Sequence, residues 1–366
     1  MQFLSPLYSR RRPLRLPTPR SMSTDDQRSK AKLWRWGAIL TLTALVLPLD
    51  AWPAAPMHPT QTPGYYRFRL GEYEVTALLD GTHTFPAAEV LMHPSGESGK
   101  GRVKLFGDSA EATEAKLAAA FVELPPEGSI NAFLINTGQH LILLDSGAGT
   151  LYGACCGHLL ANLRAAGYQP EQVDLILLTH LHADHVGGIA PGGVMAFKNA
   201  TVRVRGADLD YWTDAERAKA APAFLRPMFA GAVASLRPYI TAGRVSAFDS
   251  EAELLPGILA TPAPGHTPGH TLYTISSHGQ RLMVWGDIVH VAALQFADPS
   301  ITVIYDSDQD AAAAQRTALL KSAADGRTLI AAAHIAFPGI GHVVSRGSIY
   351  AWLPSNYTTR VAMPTR

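Results

Sequence analysis

Four side chains that can bind a metal ion lie within six residues of one another near the middle of the chain: His180, His182, Asp184 and His185. They directly follow an apolar stretch, so they fall where a strand turns into a loop. Imidazole nitrogen and carboxylate oxygen suit a borderline ion such as Zn²⁺. The first two histidines can bind one ion from the strand end, and the next two ligands can face a second. A cluster of surface histidines is the alternative interpretation.

Further side chains of the same kinds follow other apolar runs. His266 and His270 stand in Gly-His-Thr-Pro-Gly-His, where glycine and proline make a rigid turn. Asp287 ends one apolar run and His334 ends another. Polar groups at the ends of strands gather along one edge of a sheet, so we expect these residues to join the first cluster.

The elements that must position these residues alternate between strands and helices. Asp108 and Glu111 form a capping-box pattern, which predicts a helix up to about Val122. Residues 85–107 are expected to be a loop. The predicted strands are 66–70, 73–79, 131–136, 140–145, 173–178, 201–205, 256–260, 271–276, 281–286 and a last one at 328–333; the other helices are 158–166, 207–219, 223–236 and 308–323, the last one capped by Asp308. One α/β domain of layered sheets covered by helices fits this order better than two domains.

The charge of the chain is unevenly distributed. Residues 1–55 hold nine of the 31 basic residues and three of the 30 acidic ones, which leaves 22 basic against 27 acidic residues in 56–366. A mildly acidic body disfavours nucleic acid as a partner, because that partner usually demands a basic face.

The first 55 residues are typical of a signal or targeting segment. A basic stretch is followed by the apolar run 36–49, which is shorter than the roughly 20 residues of a membrane span. We therefore expect a periplasmic or secreted protein, with an uncleaved membrane anchor as the alternative. A proline-rich linker, 56–64, leads into the folded domain, 65–366.

The two cysteines, Cys155 and Cys156, are adjacent in the chain. Neighbours cannot join distant parts of a chain, so no disulfide framework is expected. We interpret them as two small, partly buried loop residues.

The ordered set of motifs resembles the metallo-β-lactamase superfamily of metallohydrolases over about residues 64–366. The matching motifs are His-x-His-x-Asp-His, Gly-His-Thr-Pro-Gly-His, Gly-Asp and a final histidine. The resemblance implies an αβ/βα sandwich with two divalent metal ions at the edge of the sheets, most simply Zn²⁺, with Co²⁺ or Mn²⁺ as alternatives. It implies that His180, His182 and His266 bind one ion, that Asp184, His185 and His334 bind the other, and that Asp287 bridges them.

Residues 286–296 and 334–342 resemble the methyl parathion hydrolase branch, which cleaves organophosphate triesters and has relatives that open N-acyl homoserine lactones. The branch implies secretion, a homodimer, and an aromatic substrate pocket at Tyr152, Trp212 and Phe229; ordinary core packing is the alternative for these three. His290 departs from the branch, and we expect it to face the substrate. His270 is expected to orient a ligand or loop through its ring N–H. We expect His342 to pack in the C-terminal turn. The remaining histidines are interpreted as surface or loop residues: His58, His83, His93, His140, His158 and His278.

The implied chemistry is hydrolysis by a metal-bridging hydroxide, since two ions lower the pKa of a shared water towards neutrality. Asp184 would hold the nucleophile in line, and His290 could protonate a poor leaving group. The expected substrates are small phosphotriesters or related esters, with lactones as the alternative. Two other classes stay open: an iron-dependent redox enzyme and a non-catalytic secreted binding protein.

Overall fold

In the part of the chain that the structure describes, the strands form two seven-stranded sheets and one three-stranded sheet. The structure is a computed structural model, which describes residues 55–96, 101–107 and 110–360. The strands in these ranges are β1 Tyr65–Leu70, β2 Tyr73–Thr84, β3 Leu91–Ser95, β4 Gly101–Lys104, β5 Glu127–Asn136, β6 Leu141–Leu144, β7 Leu175–Leu177, β8 Thr201–Arg205, β9 Val245–Phe248, β10 Ala252–Leu255, β11 Ile258–Pro262, β12 Thr271–Ser277, β13 Gln280–Val284, β14 Thr302–Val303, β15 Leu329–Ala331, β16 Ile340–Arg346 and β17 Ile349–Pro354.

The helices lie between and outside these strands. The α-helices are α1 Ala87–Val90, α2 Ala110–Ala119, α3 Leu159–Ala165, α4 Ala183–Val186, α5 Gly206–Thr213, α6 Ala215–Ala220, α7 Arg226–Thr241, α8 Ala292–Gln295 and α9 Gln309–Asp325; short 3₁₀ turns occur at Gly153–Cys155, Pro170–Gln172, Gly187–Ile189 and Pro191–Gly193.

The first large sheet has the strand order β1-β2-β5-β6-β7-β8-β9, and the second has the order β10-β11-β12-β13-β15-β16-β17. In the first sheet the strands from β6 to β9 run parallel, whereas β1, β2, β5 and β6 pair antiparallel. The third sheet, β14-β3-β4, joins two distant parts of the chain. Each large sheet therefore presents one face to the other sheet and one face outwards.

Side chains that alternate along each strand fill both faces of the sheets. In β5, Phe133 and Ile135 pack into the core between the sheets, while Leu134 packs into the core beneath the outer helices. Successive side chains of a strand point to opposite faces, so a strand covered on both sides must be apolar throughout. This explains why β6, β7 and residues 132–135 of β5 appear in the sequence as continuous apolar runs.

Helices cover the outer face of each sheet. Trp212 of α5 and Phe229 and Leu236 of α7 pack on the first sheet. Leu320 and Ala323 of α9 pack on the second sheet. The predicted αβ/βα sandwich is thus confirmed, and so is the cap of α9, where the Asp308 side chain accepts the Ala311 N–H at 3.0 Å.

Three local predictions are wrong. Residues 85–107 hold α1, β3 and β4 rather than a loop, because β3 pairs with β14 about 200 positions further along the chain. The predicted helix 207–219 breaks at Asp214, whose side chain caps a separate α6. The strand at 328–333 is not the last, since β16 and β17 form a further hairpin.

The predicted targeting segment and the Asp108 cap lie outside the described residues, apart from the exposed residue 55. Residues from His58 onwards group into one compact unit. Within the described ranges, no helix has the length and apolar character needed to cross a membrane.

Candidate metal centre

Four strands of the sandwich end close to one another and are each followed by residues of the candidate site. Strand β7 leads into the run from His180 to His185, and β11 leads into the turn that holds His266. Strands β13 and β15 end three residues before Asp287 and His334. The sequence predicted each of these residues to follow a strand, and the structure brings all seven candidate ligands together where strand ends of the two large sheets meet.

The first group comprises His180, His182, His266 and Asp287, all buried. His182 Nδ1 lies 3.0 Å from His266 Nε2, and His266 Nε2 lies 3.2 Å from Asp287 Oδ2. His180 Nε2 lies 3.6 Å from the same carboxylate oxygen. Three imidazole nitrogens and one oxygen therefore surround a common point.

The second group comprises Asp184, His185 and His334. Asp184 Oδ2 lies 3.7 Å from His185 Nε2 and 3.5 Å from His334 Nε2. Asp287 also faces this group, but through its other oxygen: Oδ1 lies 3.0 Å from His185 Nε2 and 3.1 Å from His334 Nε2. The Asp287 carboxylate thus stands between the two groups with one oxygen towards each.

These residues fit divalent metal ions, because the cluster leaves buried polar atoms without partners. His180 Nε2, His185 Nε2 and Asp287 Oδ1 are buried and have no hydrogen-bond partner. A buried polar atom that lacks a partner costs free energy, so native proteins rarely leave several of them together. Metal ions held by the two groups would satisfy all three atoms.

The charge state of the cluster suits the same interpretation. Burial alone would raise the pKa of Asp287, but the neighbouring histidines, His185 first, hold that pKa well below its usual range. Burial, aided by nearby histidines, lowers the pKa of His180 and of His182 well below the usual value. The pKa values of His185, His266 and His334 are instead raised, despite their burial, because the Asp287 carboxylate lies beside each of them. A cation held by these residues would take the place of those protons, since histidine binds a metal as the neutral imidazole.

Three of the histidines are held by their second ring nitrogen. His185 Nδ1 lies 2.9 Å from Asp145 Oδ2, and His266 Nδ1 lies 2.6 Å from Asp306 Oδ1. His334 Nδ1 lies 3.0 Å from the Ser129 carbonyl. Such partners fix the ring orientation and leave Nε2 free for a metal. Sequence reasoning missed all three partners, although Asp145 ends an apolar run just as Asp287 does.

Backbone hydrogen bonds tie the loops of the site to each other. Asp208 accepts the Leu181 N–H at 2.9 Å and the Gly269 N–H at 2.6 Å, so this buried carboxylate joins the two histidine-bearing loops. His270 Nε2 accepts the Asp287 N–H at 3.1 Å. Gly286 has a φ of +56°, and a Cβ on it would lie 2.6 Å from that His270 nitrogen. His270 therefore positions the Asp287 backbone by accepting a hydrogen bond, and not through its ring N–H as the sequence predicted.

A cavity of about 310 Å³ opens from the two groups. His182, Asp184, Asp287, His290 and His334 form its polar end. The rest of the wall is mainly apolar or aromatic and consists of His83, Phe85, Pro86, Val90, Tyr152, Phe224, Met228 and Tyr305.

Tyr152 and His290 both lie on the cavity wall, and His290 Nε2 is 3.1 Å from Asp287 Oδ2. Trp212 and Phe229 do not reach this cavity. Both are buried in the core beneath α5 and α7, where Trp212 packs against His182 with ring centroids 4.9 Å apart. Their aromatic rings thus support a candidate ligand from behind and do not line the substrate space.

Sequence reasoning missed several wall residues. His83, interpreted as a surface or loop residue, is half-buried and packs against Tyr152 with ring centroids 5.6 Å apart. Tyr305 packs near His182, His266 and His290 at centroid distances of 5.9–6.0 Å. Neither residue stands in a motif: His83 lies near the end of β2 and Tyr305 in the turn after β14, and only the tertiary fold brings them to the cavity.

The fold and the site together define a metallohydrolase built as an αβ/βα sandwich. The sequence profile of the metallo-β-lactamase superfamily matches residues 125–334, a range that contains all seven candidate ligands. The chain belongs to the metallo-β-lactamase superfamily, and its His/Asp groups are those of a metal-dependent hydrolase.

Two solved structures are similar over most of the chain. The hydrolase AbOPH of the β-lactamase superfamily is 35% identical, with a TM-score of 0.73, over 82% of this chain and 100% of that one. AidC, a dizinc quorum-quenching lactonase in complex with a product, is 27% identical, with a TM-score of 0.69, over 81% and 99% of the two chains.

Curated relatives match over shorter ranges. An N-acyl homoserine lactonase of Bacillus sp. is 32% identical over 108 residues, which are 30% of this chain and 35% of the lactonase. A ribonuclease Z of Clostridium kluyveri is 29% identical over 75 residues, which are 20% of this chain and 22% of that enzyme. The matches thus span about a third of these relatives or less.

The geometry predicts how metal content responds to the loss of each group. We expect the purified protein to bind two Zn²⁺ per chain, His180→Ala and His334→Ala to retain one, and Asp287→Ala to retain the least, because Asp287 faces both groups. Metal analysis after dialysis against dilute Zn²⁺ measures this. His140→Ala, at an exposed position far along the chain from the cluster, is the matched control and should bind as the parent does. Full metal content in Asp287→Ala would contradict the assignment.

Proposed function

We propose that the protein hydrolyses small neutral esters, first of all lactones and other carboxylic esters, with two divalent metal ions, most simply Zn²⁺. The observation that carries this proposal is the position of the two ligand groups, which form the polar end of a cavity whose other walls are apolar. A compact polar centre under an apolar pocket suits an ester with a hydrophobic arm.

The charge of the cavity wall supports a neutral substrate. Among the described residues that line it, none is Lys or Arg, while Asp184 and Asp287 contribute carboxylates. An anionic substrate such as a nucleic acid or a carboxylated β-lactam would lack a side-chain cation to pair with once buried. The similarity to ribonuclease Z therefore supports the shared fold and not that relative's substrate.

The ions, when bound, would supply Lewis acidity and a hydroxide nucleophile at neutral pH. Around them the chain's own residues have distinct parts. Asp184, within 3.7 Å of His185 and 3.5 Å of His334, can accept a hydrogen bond from the attacking water and orient it. The apolar walls exclude other water and hold the acyl part of the substrate.

Two phenols can donate protons or hydrogen bonds at the cavity. Burial, followed by the Asp184 carboxylate, raises the pKa of Tyr152 well above its usual value. Burial and the neighbouring Tyr152 do the same to the pKa of Tyr305. Both phenols thus stay protonated at neutral pH and can stabilise negative charge on the substrate oxygen or the leaving group.

These donors favour lactones and alkyl esters over substrates that need no help with the leaving group. An alkoxide leaves poorly unless it is protonated, whereas a nitrophenolate leaves without assistance. The structural similarity to a quorum-quenching lactonase points the same way. Phosphotriesters are the second candidate, which rests on the resemblance of residues 286–296 and 334–342 to the methyl parathion hydrolase branch and on the neutral wall of the cavity.

The location and the assembly of the protein are further proposals. The basic and then apolar composition of residues 1–55 supports export to the periplasm or the medium. Homodimerisation rests on the family resemblance alone, and size-exclusion chromatography with light scattering would test it.

Metal removal tests the proposed reaction. We expect the chelator-stripped protein to hydrolyse neither an acyl lactone nor an aryl ester nor a phosphotriester, and to regain activity with Zn²⁺, Co²⁺ or Mn²⁺. In the loaded enzyme, kcat/KM for the neutral substrates should exceed that for a β-lactam and for a phosphodiester by about 100-fold or more, because no Lys or Arg is among the described residues that line the cavity. Activity on the β-lactam or the phosphodiester equal to that on the neutral substrates would contradict the proposal, and so would activity that survives metal removal.

The Tyr152→Phe substitution should affect hydrolysis of lactones and hydrolysis of phosphotriesters differently. Loss of the phenol should lower kcat for a lactone by about 100-fold, the usual cost of a lost proton donor, and should change kcat for a nitrophenyl phosphotriester less than about threefold. Unchanged metal content would show that the site is intact, and His140→Ala is again the control. An equal loss on both substrates would mean that Tyr152 does not assist the leaving group.

A further inference from the structure

The adjacent cysteines lie beside the hydrolytic cavity with their sulfur atoms close together. Cys155 Sγ is 2.7 Å from Cys156 Sγ. Cys155 is half-buried and lines a cleft together with His83 and Tyr152, whereas Cys156 is buried. His83 and Tyr152 also line the cavity at the metal centre, so the cleft and the cavity share part of their wall. The pair belongs to neither of the ligand groups described above.

The loop that carries the pair is anchored at both ends by one carboxylate. Asp80 Oδ2 accepts the Ala148 N–H at 2.9 Å and the Gly157 N–H at 3.0 Å, and Asp80 Oδ1 accepts the Leu159 N–H at 3.2 Å. Since these contacts fix the loop on either side, a change at the cysteines must be absorbed between residues 148 and 157.

Tyr152 lies inside that interval and contacts the pair directly. The Cys155 thiol donates to the Tyr152 carbonyl at 3.4 Å. Gly149 and Gly153, on either side of Tyr152, have φ values of +55° and +74°, in the region that glycine adopts readily. These two positions let the backbone at Tyr152 adjust while the Asp80 anchors stay in place.

We propose that Cys155 and Cys156 form a reversible vicinal disulfide whose closure changes hydrolysis through Tyr152. The oxidant is a low-molecular-weight disulfide. The Cys155 thiolate attacks one of its sulfurs and releases the first small thiol. Burial, and then the neighbouring Cys155, raise the pKa of the Cys156 thiol above its usual value, so Cys156 gives up its proton only as it attacks Cys155 Sγ in the mixed disulfide and releases the second small thiol. The pair loses two electrons, the small disulfide is reduced to two thiols, and the two cysteine protons end on those thiols.

Geometry explains why the bridge would be reversible. The Cα atoms of neighbours joined by a trans peptide are about 3.8 Å apart. Unconstrained disulfides span about 4.4–6.8 Å between Cα atoms, so a bridge between neighbours is readily reduced. Closure also removes the S–H that binds the Tyr152 carbonyl, which frees the backbone that carries the phenol.

The test begins with chemistry that does not depend on the proposed function. The full chain is incubated in glutathione buffers from fully reduced to fully oxidised, trapped with a thiol alkylating reagent, and analysed by intact and peptide mass spectrometry. We expect the oxidised protein to lose two hydrogen atoms and both alkylation sites, with the bridge mapped to Cys155 and Cys156, and dithiothreitol to restore them. Two alkylatable thiols at every ratio, or a glutathione adduct on Cys155 that never resolves, would overturn the proposal.

The second arm measures hydrolysis and rests on the proposed function. We expect kcat/KM of the zinc-loaded enzyme for a lactone to fall by about tenfold on oxidation, because a displaced catalytic group is costly. The Cys155→Ser/Cys156→Ser double variant should match the reduced parent at every ratio, and Tyr152→Phe should still form the bridge but show no further loss. A bridge that leaves kcat/KM of the parent unchanged would overturn the link through Tyr152. Absence of any hydrolysis, with the bridge present, would count against the proposed function instead.

Discussion

The carboxylate of Asp287 is the interaction on which the rest of the site depends. One of its oxygens faces His180 and His266, and the other faces His185 and His334. A buried carboxylate is costly unless it is paired. Asp287 is buried, so the histidines around it and the ions they can bind must compensate for that cost. The two ligand groups are therefore one structure, joined by this side chain.

The sandwich fold brings the ends of several strands close together. Apolar strands covered on both faces leave only their ends for polar chemistry, and four ends from the two large sheets meet at the site. Carboxylates behind the candidate ligands then hold them in place. Asp145 holds the His185 ring and Asp306 holds the His266 ring. Asp208 joins the two histidine-bearing loops through their backbone N–H groups. The stability of the core and the precision of the site thus come from the same alternation of apolar and polar residues.

The candidate ligands and the fold class could be predicted because they depend on local pattern. Residue type, short spacing and position after an apolar run identified His180, His266 and Asp287 without knowledge of the tertiary structure. The cavity wall could not be predicted in this way. His83 at the end of β2 and Tyr305 after β14 reach it only through the tertiary fold, and β3 pairs with the distant β14 as well as with its neighbour β4.

The sequence also could not predict which aromatic residues line the cavity. Trp212 and Phe229 are large and apolar, and nothing in the sequence tells a pocket wall from a core. The structure places them behind His182 in the core of the first sheet. Tyr152 differs because its loop, anchored by Asp80, borders the cavity at the metal centre. Whether an aromatic side chain meets substrate is decided by the path of the loop that carries it.

The most direct test of the central claim is anomalous diffraction at the zinc absorption edge from crystals of the Zn²⁺-loaded protein. We expect two peaks about 3.5–4 Å apart. One should lie among His180, His182 and His266 and the other among Asp184, His185 and His334, with the Asp287 carboxylate between them. A single peak, or two peaks that do not share Asp287, would contradict it.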